Sequence, residues 1–252
     1  ASGDIAMLEC VPADCEVFGP EWTCACGECA RRASPLADVA CAAPAPATDL
    51  GEVPDLAPVD ISYNGSPSCR GLAATCRGRS CCATLPVPGG VHLRSYDGTP
   101  DYPDASYPAT TSTFLLDRFE VTVGRYRTFA RATDRPTALL CDSRATWTEE
   151  PGAREGYPLN CASWADAAAF CTWDGGRLPT EAEWDRAAAG GEEQRAYPWS
   201  RAPEIDPSRA VYSADFPEAV GSRPAGDGRW GHADLAGNVW EWTADWHGEY
   251  RD

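Results

Sequence analysis

The chain has 252 residues, 43% of them hydrophobic, a net charge of −17, and arginine at every one of its 21 basic positions. Without lysine there is no phosphate-cradling GxxxxGK[ST] loop and no lysine Schiff base, and such acidity excludes a nucleic-acid backbone as partner. Three histidines (His92, His232, His247) form no HExxH, no GxSxG occurs, and no apolar run is long enough to span a bilayer.

Thirteen cysteines predict disulfide staples and an oxidising compartment, so a secreted, periplasmic or cell-surface protein. The start at Ala1, with no basic-then-apolar leader, reads as a mature product whose signal peptide has been removed. An odd count leaves at least one thiol free, on a metal or without its partner.

Residues 1–41 hold Cys10, Cys15, Cys24, Cys26, Cys29 and Cys41 among few large apolar side chains. A segment of that kind needs cross-links, and is predicted as a small disulfide head. One CxxC without a second pair at finger spacing favours disulfides over zinc for Cys24, Cys26 and Cys29. Residues 42–67, rich in Ala and Pro, predict an extended connector; its Asn64-Gly65-Ser66 matches a glycosylation acceptor but reads better as a turn. Residues 68–84 carry Cys69, Cys76, Cys81 and Cys82. The vicinal pair is expected to bond to two different partners and pin the chain where the next domain begins.

From Leu85 the pattern is α+β with much irregular structure. "TSTFLLDRFEVTVGRYRTF" predicts a strand ending near Glu120, then a helix capped by Thr122 with Val123, Tyr126 and Ala130 on one face. "SWADAAAFCTW" predicts a second helix capped by Ser163, with Trp164, Ala168 and Cys171 on one face. "LPTEAEWDRAAAGG" predicts a third, with a Thr180–Glu183 capping box and Gly190-Gly191 at its end. Arg177 is expected to tie its loop to Glu181 or Glu183, and Trp184 to face the core. In "DLAGNVWEWTADW" (234–246) period-two alternation predicts a strand with Trp240, Trp242, Ala244 and Trp246 toward the core and Glu241 and Asp245 on the other face. Cys161 and Cys171 lie about 15 Å apart if the residues between are helical, too far for a direct disulfide, so separate structural roles are expected.

Together "FEVTVGRYRTF", "PLNCASWADAAAFCTWDGGRLPTEAEW", "YPW" and "GHADLAGNVWEWTADW" resemble, in order and spacing over roughly residues 85–250, the formylglycine-generating enzyme family, also called the sulfatase-modifying factor family. The resemblance implies a C-type-lectin-like variant fold, poor in regular structure and often carrying calcium. Its best-known members oxidise a substrate cysteine to formylglycine with molecular oxygen and a copper ion held by two cysteines; other branches are non-heme iron enzymes or have no known activity. By position it implies a structural calcium held by Asp234, the carbonyls of Gly237 and Val239, and Glu241. This is a chemically coherent set, since Ca²⁺ mixes carboxylates with main-chain carbonyls. Val211 stands where an asparagine of a second calcium site is expected, so that site is expected to be absent or weak.

The family's copper cysteines follow an RGGSW-like segment downstream of the WEW strand, and the chain stops at Asp252 before any such segment. The domain at 85–252 is therefore expected to be C-terminally incomplete, with copper only if such a pair exists outside this chain and with a second chain as one way to complete its edge. A closing cysteine that in the family pairs with the position matching Cys171 is likewise missing, which would account for the odd count. Two readings result. One is an exported protein related to oxygen-dependent formylglycine generation on a protein or peptide substrate. The alternative is a non-catalytic, calcium-stabilised recognition module for a protein or glycan. A non-heme iron oxygenase would need two histidines and a carboxylate, and the three histidines are scattered.

Overall fold

The computed structural model describes residues 66–72, 74–100, 103–135, 144–202 and 204–246, together with the backbone of strands nearer the N-terminus. The side chains of the head cysteines, the Asn64 acceptor, most of the connector and His247 lie outside the described residues. In chain order the elements are β1 (Ile5–Ala6), β2 (Val11–Pro12), β3 (Trp22–Ala25), β4 (Glu28–Arg31), β5 (Ile61–Ser62), β6 (Thr75–Cys76), β7 (Arg79–Ser80), β8 (Ala83–Val87), β9 (Gly90–Leu93), β10 (Pro108–Thr111), β11 (Phe114–Asp117), α1 (Val123–Thr133), α2 (Trp164–Trp173), β12 (Gly176–Arg177), α3 (Glu181–Ala189) and β13 (Trp240–Glu241).

Regular pairing is sparse. β8 is the centre of an antiparallel β11-β8-β5 sheet, β9 and β10 form a hairpin, and β6 and β7 another. The backbone of β2 pairs with β12, and β1 runs parallel to β13 with Ala6 opposite Glu241. Most of the remaining described residues are loop, so side chains rather than ladders fix their course.

The three helices begin where their caps require. Thr122 accepts from Arg125 N–H, Ser163 from Asp166 N–H, and Thr180 and Glu183 close a reciprocal capping box. α3 ends on Gly190 in a left-handed conformation. α1 and α2 bury Val123, Tyr126, Phe129, Phe170 and Cys171 in one cluster with Val121, Leu159 and Leu178. Val87, Phe114, Leu116, Ala187 and Leu235 form a second cluster between the central sheet and α3. Trp164, expected on the core face of α2, is instead 44% exposed and donates its Nε1–H to Thr243 O. At the first turn of a helix, a large ring can lie across a neighbouring loop rather than enter the core.

The vicinal cysteines take two different partners, as expected, and the fold assigns them: Cys81 bonds to Cys76 and Cys82 to Cys69. Next to that staple lies a buried ion network. Arg125 of α1 donates to Asp117 Oδ2 at 2.6 Å, to Asp174 Oδ2 at 2.8 Å and to Ser68 Oγ at 3.1 Å. Asp174 also accepts from Ser68 N–H and Oγ–H. One guanidinium thus joins the disulfide segment, β11, α1 and the end of α2.

His232 is fully buried, and burial lowers its pKa to about 4 against the opposing pull of the Leu116 and Leu85 main chain. The unfolded chain takes up that proton near pH 6.5, so the folded state binds fewer protons between these values and stability falls as pH drops through them. The contribution is about 3 kcal/mol in total. Urea midpoints of the wild type and His232→Asn across pH 4–7 are expected to diverge, the wild type losing more on acidification; parallel curves would refute this.

Candidate functional site

The segment after β11 is held extended by its neighbours. Ala233 N–H donates to Arg118 O at 2.9 Å and Leu159 N–H to Val121 O at 2.8 Å. The first bond brings residue 118 beside residue 233 and the second residue 121 beside residue 159, and Glu120 between them lies near Asp234. The chain then turns through Asp234 (φ 57°), Gly237 (φ 88°) and Asn238 (φ 58°), all left-handed. Only glycine fits at 237, because a Cβ there would stand 2.3 Å from Val211 O. Asn238 occupies its left-handed position with its N–H and both ends of its side-chain amide committed. Its N–H donates to Val211 O (2.7 Å), its Oδ1 accepts from Glu218 N–H (3.0 Å) and its Nδ2 donates to Glu120 Oε2 (2.7 Å).

This turn corrects the alternation read from "WEWTADW". β13 is only two residues long, Trp240 is 70% and Trp246 97% exposed, and Glu241 is half-buried. Trp242 alone of the three indoles packs against the α1–α2 cluster, donating its Nε1–H to Ala162 O. The cause is the left-handed winding at 237–238, after which loop contacts such as Ala244 N–H to Pro179 O guide the chain in place of a sheet. Trp184, expected to be purely core, donates its Nε1–H to Glu241 Oε2 at 2.6 Å. The predicted loop-to-helix tie is made by Arg177, which grips Glu183 with two 2.8 Å bonds.

Asp234, Gly237, Val239 and Glu241, the four residues singled out from the sequence, line one cleft of about 680 Å³. Residues 211–217 form its facing wall, with Arg144 and the exposed ring of Trp240 at its sides. Burial raises Asp234 to about 6, against the Gly221 N–H that its Oδ2 accepts; Asp227 adds repulsion. Burial also raises Glu241 to about 8, countered by the Trp184 donor and reinforced by Asp234. Glu120, missed in the sequence reading, is pushed well above the usual carboxylate range by burial and by repulsion from Asp234 and Glu241. Its signal was present in "RFEVTV", where a lone carboxylate sits between Phe119 and Val121.

Among the described residues, none of these three carboxyls has an ion-pair partner. Glu120 Oε1 is buried without any hydrogen-bond partner. Two carboxylates, two main-chain carbonyls and surplus enclosed negative charge form a donor set suited to a hard divalent cation. Among the described residues no three His, Cys, Asp or Glu side chains could hold a metal by themselves, so a cation here must draw on carbonyls. The same finding leaves no histidine–carboxylate triad in the described residues; His92 and His232 are buried in separate places.

Cys161 and Cys171 are both disulfide-bonded. Cys171 is therefore not left unpaired by a missing closing cysteine, contrary to the sequence expectation. A count of cysteines cannot assign partners, because connectivity is set by which loops the fold brings together. With Cys69, Cys76, Cys81 and Cys82 also bonded, every cysteine whose side chain is described is oxidised.

Among known proteins, a formylglycine-generating enzyme of Thermomonospora curvata is 30% identical over 214 residues, covering 64% of this chain and 70% of that protein. The inactive C-alpha-formylglycine-generating enzyme 2 of Bos taurus is 31% identical over 210 residues, covering 63% and 69%. The structure of PvdO from Pseudomonas aeruginosa shares the fold, with a TM-score of 0.50 at 24% identity, covering 66% of this chain and 71% of that one. The model of the sulfatase-modifying factor enzyme 1-like (FGE-sulfatase) domain matches residues 71–252, well over half of the sequence. The chain therefore belongs to the sulfatase-modifying factor family.

Proposed function

We propose that these residues act as a calcium-stabilised recognition domain whose cleft, between residues 211–217 and 234–241, receives a segment of a partner protein. The observation that carries this reading is the oxidation state of the cysteines. All six with described side chains are in disulfides, so among them no thiol pair remains to hold copper. Copper-centred chemistry does not fit these residues and would need cysteines elsewhere. The calcium at Asp234, Gly237, Val239 and Glu241 is structural in this reading: it would draw the turn and β13 together and hold the cleft wall. The fold is then a C-type-lectin-like variant, shaped by loops. The disulfides support an exported location, and no helix among the described residues is long and apolar enough to cross a membrane. A disulfide head (1–41), a connector (42–67) and a cysteine cluster (68–84) ahead of the domain belong to the same proposal, supported by a family match that begins at residue 71.

The second reading, formylglycine generation, is favoured by the formylglycine-generating enzyme of Thermomonospora curvata at 30% identity, but a relative named as inactive stands equally near. One experiment separates the two. The 252-residue chain is loaded with copper and calcium and incubated in air with a peptide containing a CxPxR cysteine, and the peptide is followed by mass spectrometry and by fluorescence anisotropy. The recognition reading expects calcium-dependent binding of peptide with its cysteine unchanged. Conversion of that cysteine to the aldehyde would overturn it.

A further inference from the structure

Two short strands near the N-terminus lie against the domain. Ile5–Ala6 runs parallel to β13, with Ile5 opposite Trp240 and Ala6 opposite Glu241. Val11–Pro12 pairs antiparallel with β12, opposite Arg177 and Gly176. The two edges are neighbours, because just beyond them Ala244 N–H donates to Pro179 O at 2.8 Å. The chain from Ala6 to Val11, about 17 Å when extended, is long enough to join them. β13 also needs a neighbour: both of its residues line the cleft, and an open strand edge exposes unpaired main-chain groups.

A disulfide points the same way. Cys171 is bonded, while Cys69, Cys76, Cys81 and Cys82 bond among themselves. Cys161 precedes the Ser163 cap, at the other end of α2. From Ser163 to Cys171 the helix rises about 12 Å, more than the roughly 7 Å that a disulfide allows between Cα atoms. The partner of Cys171 is therefore a cysteine outside the described residues. Cys141 is better placed for Cys161, since the carbonyl of nearby Arg144 accepts from Asn160 Nδ2–H at 2.8 Å. Cys171 shares its cluster with Leu178, which directly follows β12, the strand that takes Val11–Pro12. Cys10 is the residue before Val11.

We propose that the N-terminal segment is a built-in occupant of the cleft edge: Ile5–Ala6 fills the strand position beside β13, and a disulfide from Cys171 to the head, at Cys10, fastens it there. The partner that fits this edge is then an extended peptide segment, pairing main chain to main chain with Trp240 and Glu241, and it must displace Ile5–Ala6 to do so. The displacement by a partner rests on the recognition reading above, whereas the docking of the chain's own segment stands apart from it.

The test uses the whole chain. Peptide mapping without reduction is expected to link Cys171 to a fragment of residues 1–41 of the same chain. A link to Cys141 or Cys161 would overturn the proposal, and so would a link between two chains, which would make a second copy the occupant. Hydrogen exchange then compares the wild type with Ile5→Pro/Ala6→Pro, since proline removes the N–H groups that strand pairing needs. The amides of Trp240 and Glu241 are expected to exchange about 10-fold faster or more in the variant. A fluorescent peptide of residues 1–9 is expected to bind the variant about 10-fold tighter or more than the wild type, whose own segment competes at a millimolar effective concentration. Equal affinity, or equal exchange in the two proteins, would overturn the proposal. If the variant fails to fold, exchange in the wild type decides: fast exchange at residues 5–6 and 240–241 overturns it. A CxPxR peptide run in parallel keeps the two readings apart. Its failure to bind even the variant removes the partner reading, while the docked strand is judged by the mapping, the exchange and its own peptide.

Discussion

Arg125→Met is expected to destabilise the domain by about 3–5 kcal/mol, the cost of leaving buried charges without their partner. The guanidinium is 1% exposed and sits between Asp117 and Asp174, which are 4% and 1% exposed. Methionine fills part of the volume but leaves two carboxylates in the interior, and Ser68 Oγ, still bonded to Asp174, loses the donor it accepted from Arg125. The loss should not be local. Ser68 precedes Cys69, which is bonded to Cys82, and Arg125 donates to Cys81 O as well, so the disulfide segment, β11 and both helices lose their common tie. Arg125→Lys should recover only part of the stability, since an ammonium cannot present the fork that meets both carboxylates and the hydroxyl. Urea unfolding of the three proteins checks this; a methionine variant within 1 kcal/mol of the wild type, a margin inside ordinary core substitutions, would show that the network contributes little.

Removing calcium is expected to have the second large effect, and its size should depend on pH. At a calcium concentration of a hundred times Kd, binding adds about 2.7 kcal/mol to stability. In chelator the opposite pressure appears. Burial raises Asp234 to about 6 and Glu241 to about 8, with Glu120 raised as well. The folded state therefore holds protons that the unfolded chain has already released above about pH 4, and this group of acids costs stability as pH rises from there through about 8. A bound cation favours the ionised forms and should flatten that slope. Melting temperatures in chelator and in calcium are thus expected to lie close together near pH 5 and to separate toward pH 8. Equal separation at both values, or none, would count against the site.

The short-range features were legible in the sequence. Thr122, Ser163 and the Thr180–Glu183 box announce their helices because a cap involves only neighbours within one turn. The Arg177–Glu183 tie spans six residues. The vicinal cysteines could be assigned different partners because geometry disfavours bonding to each other. The family pattern also selected four residues, Asp234, Gly237, Val239 and Glu241, that the fold brings to one cleft.

Tertiary structure alone decided what depends on distant segments. Alternation placed the tryptophans of 240–246 inside and Glu241 outside; the fold did nearly the reverse. The left-handed residues at 237–238 end the strand register almost as it begins, and contacts with Ala162, Pro179 and Trp184 then determine which side chain is enclosed. Glu120 became part of the site only when Ala233 paired with Arg118, across more than a hundred residues of chain. The sequence by itself determined where helices start, that the vicinal cysteines take different partners, and the family. Packing decided which carboxyls share a buried space, because burial and charge repulsion belong to the assembled interior and not to any local stretch of chain.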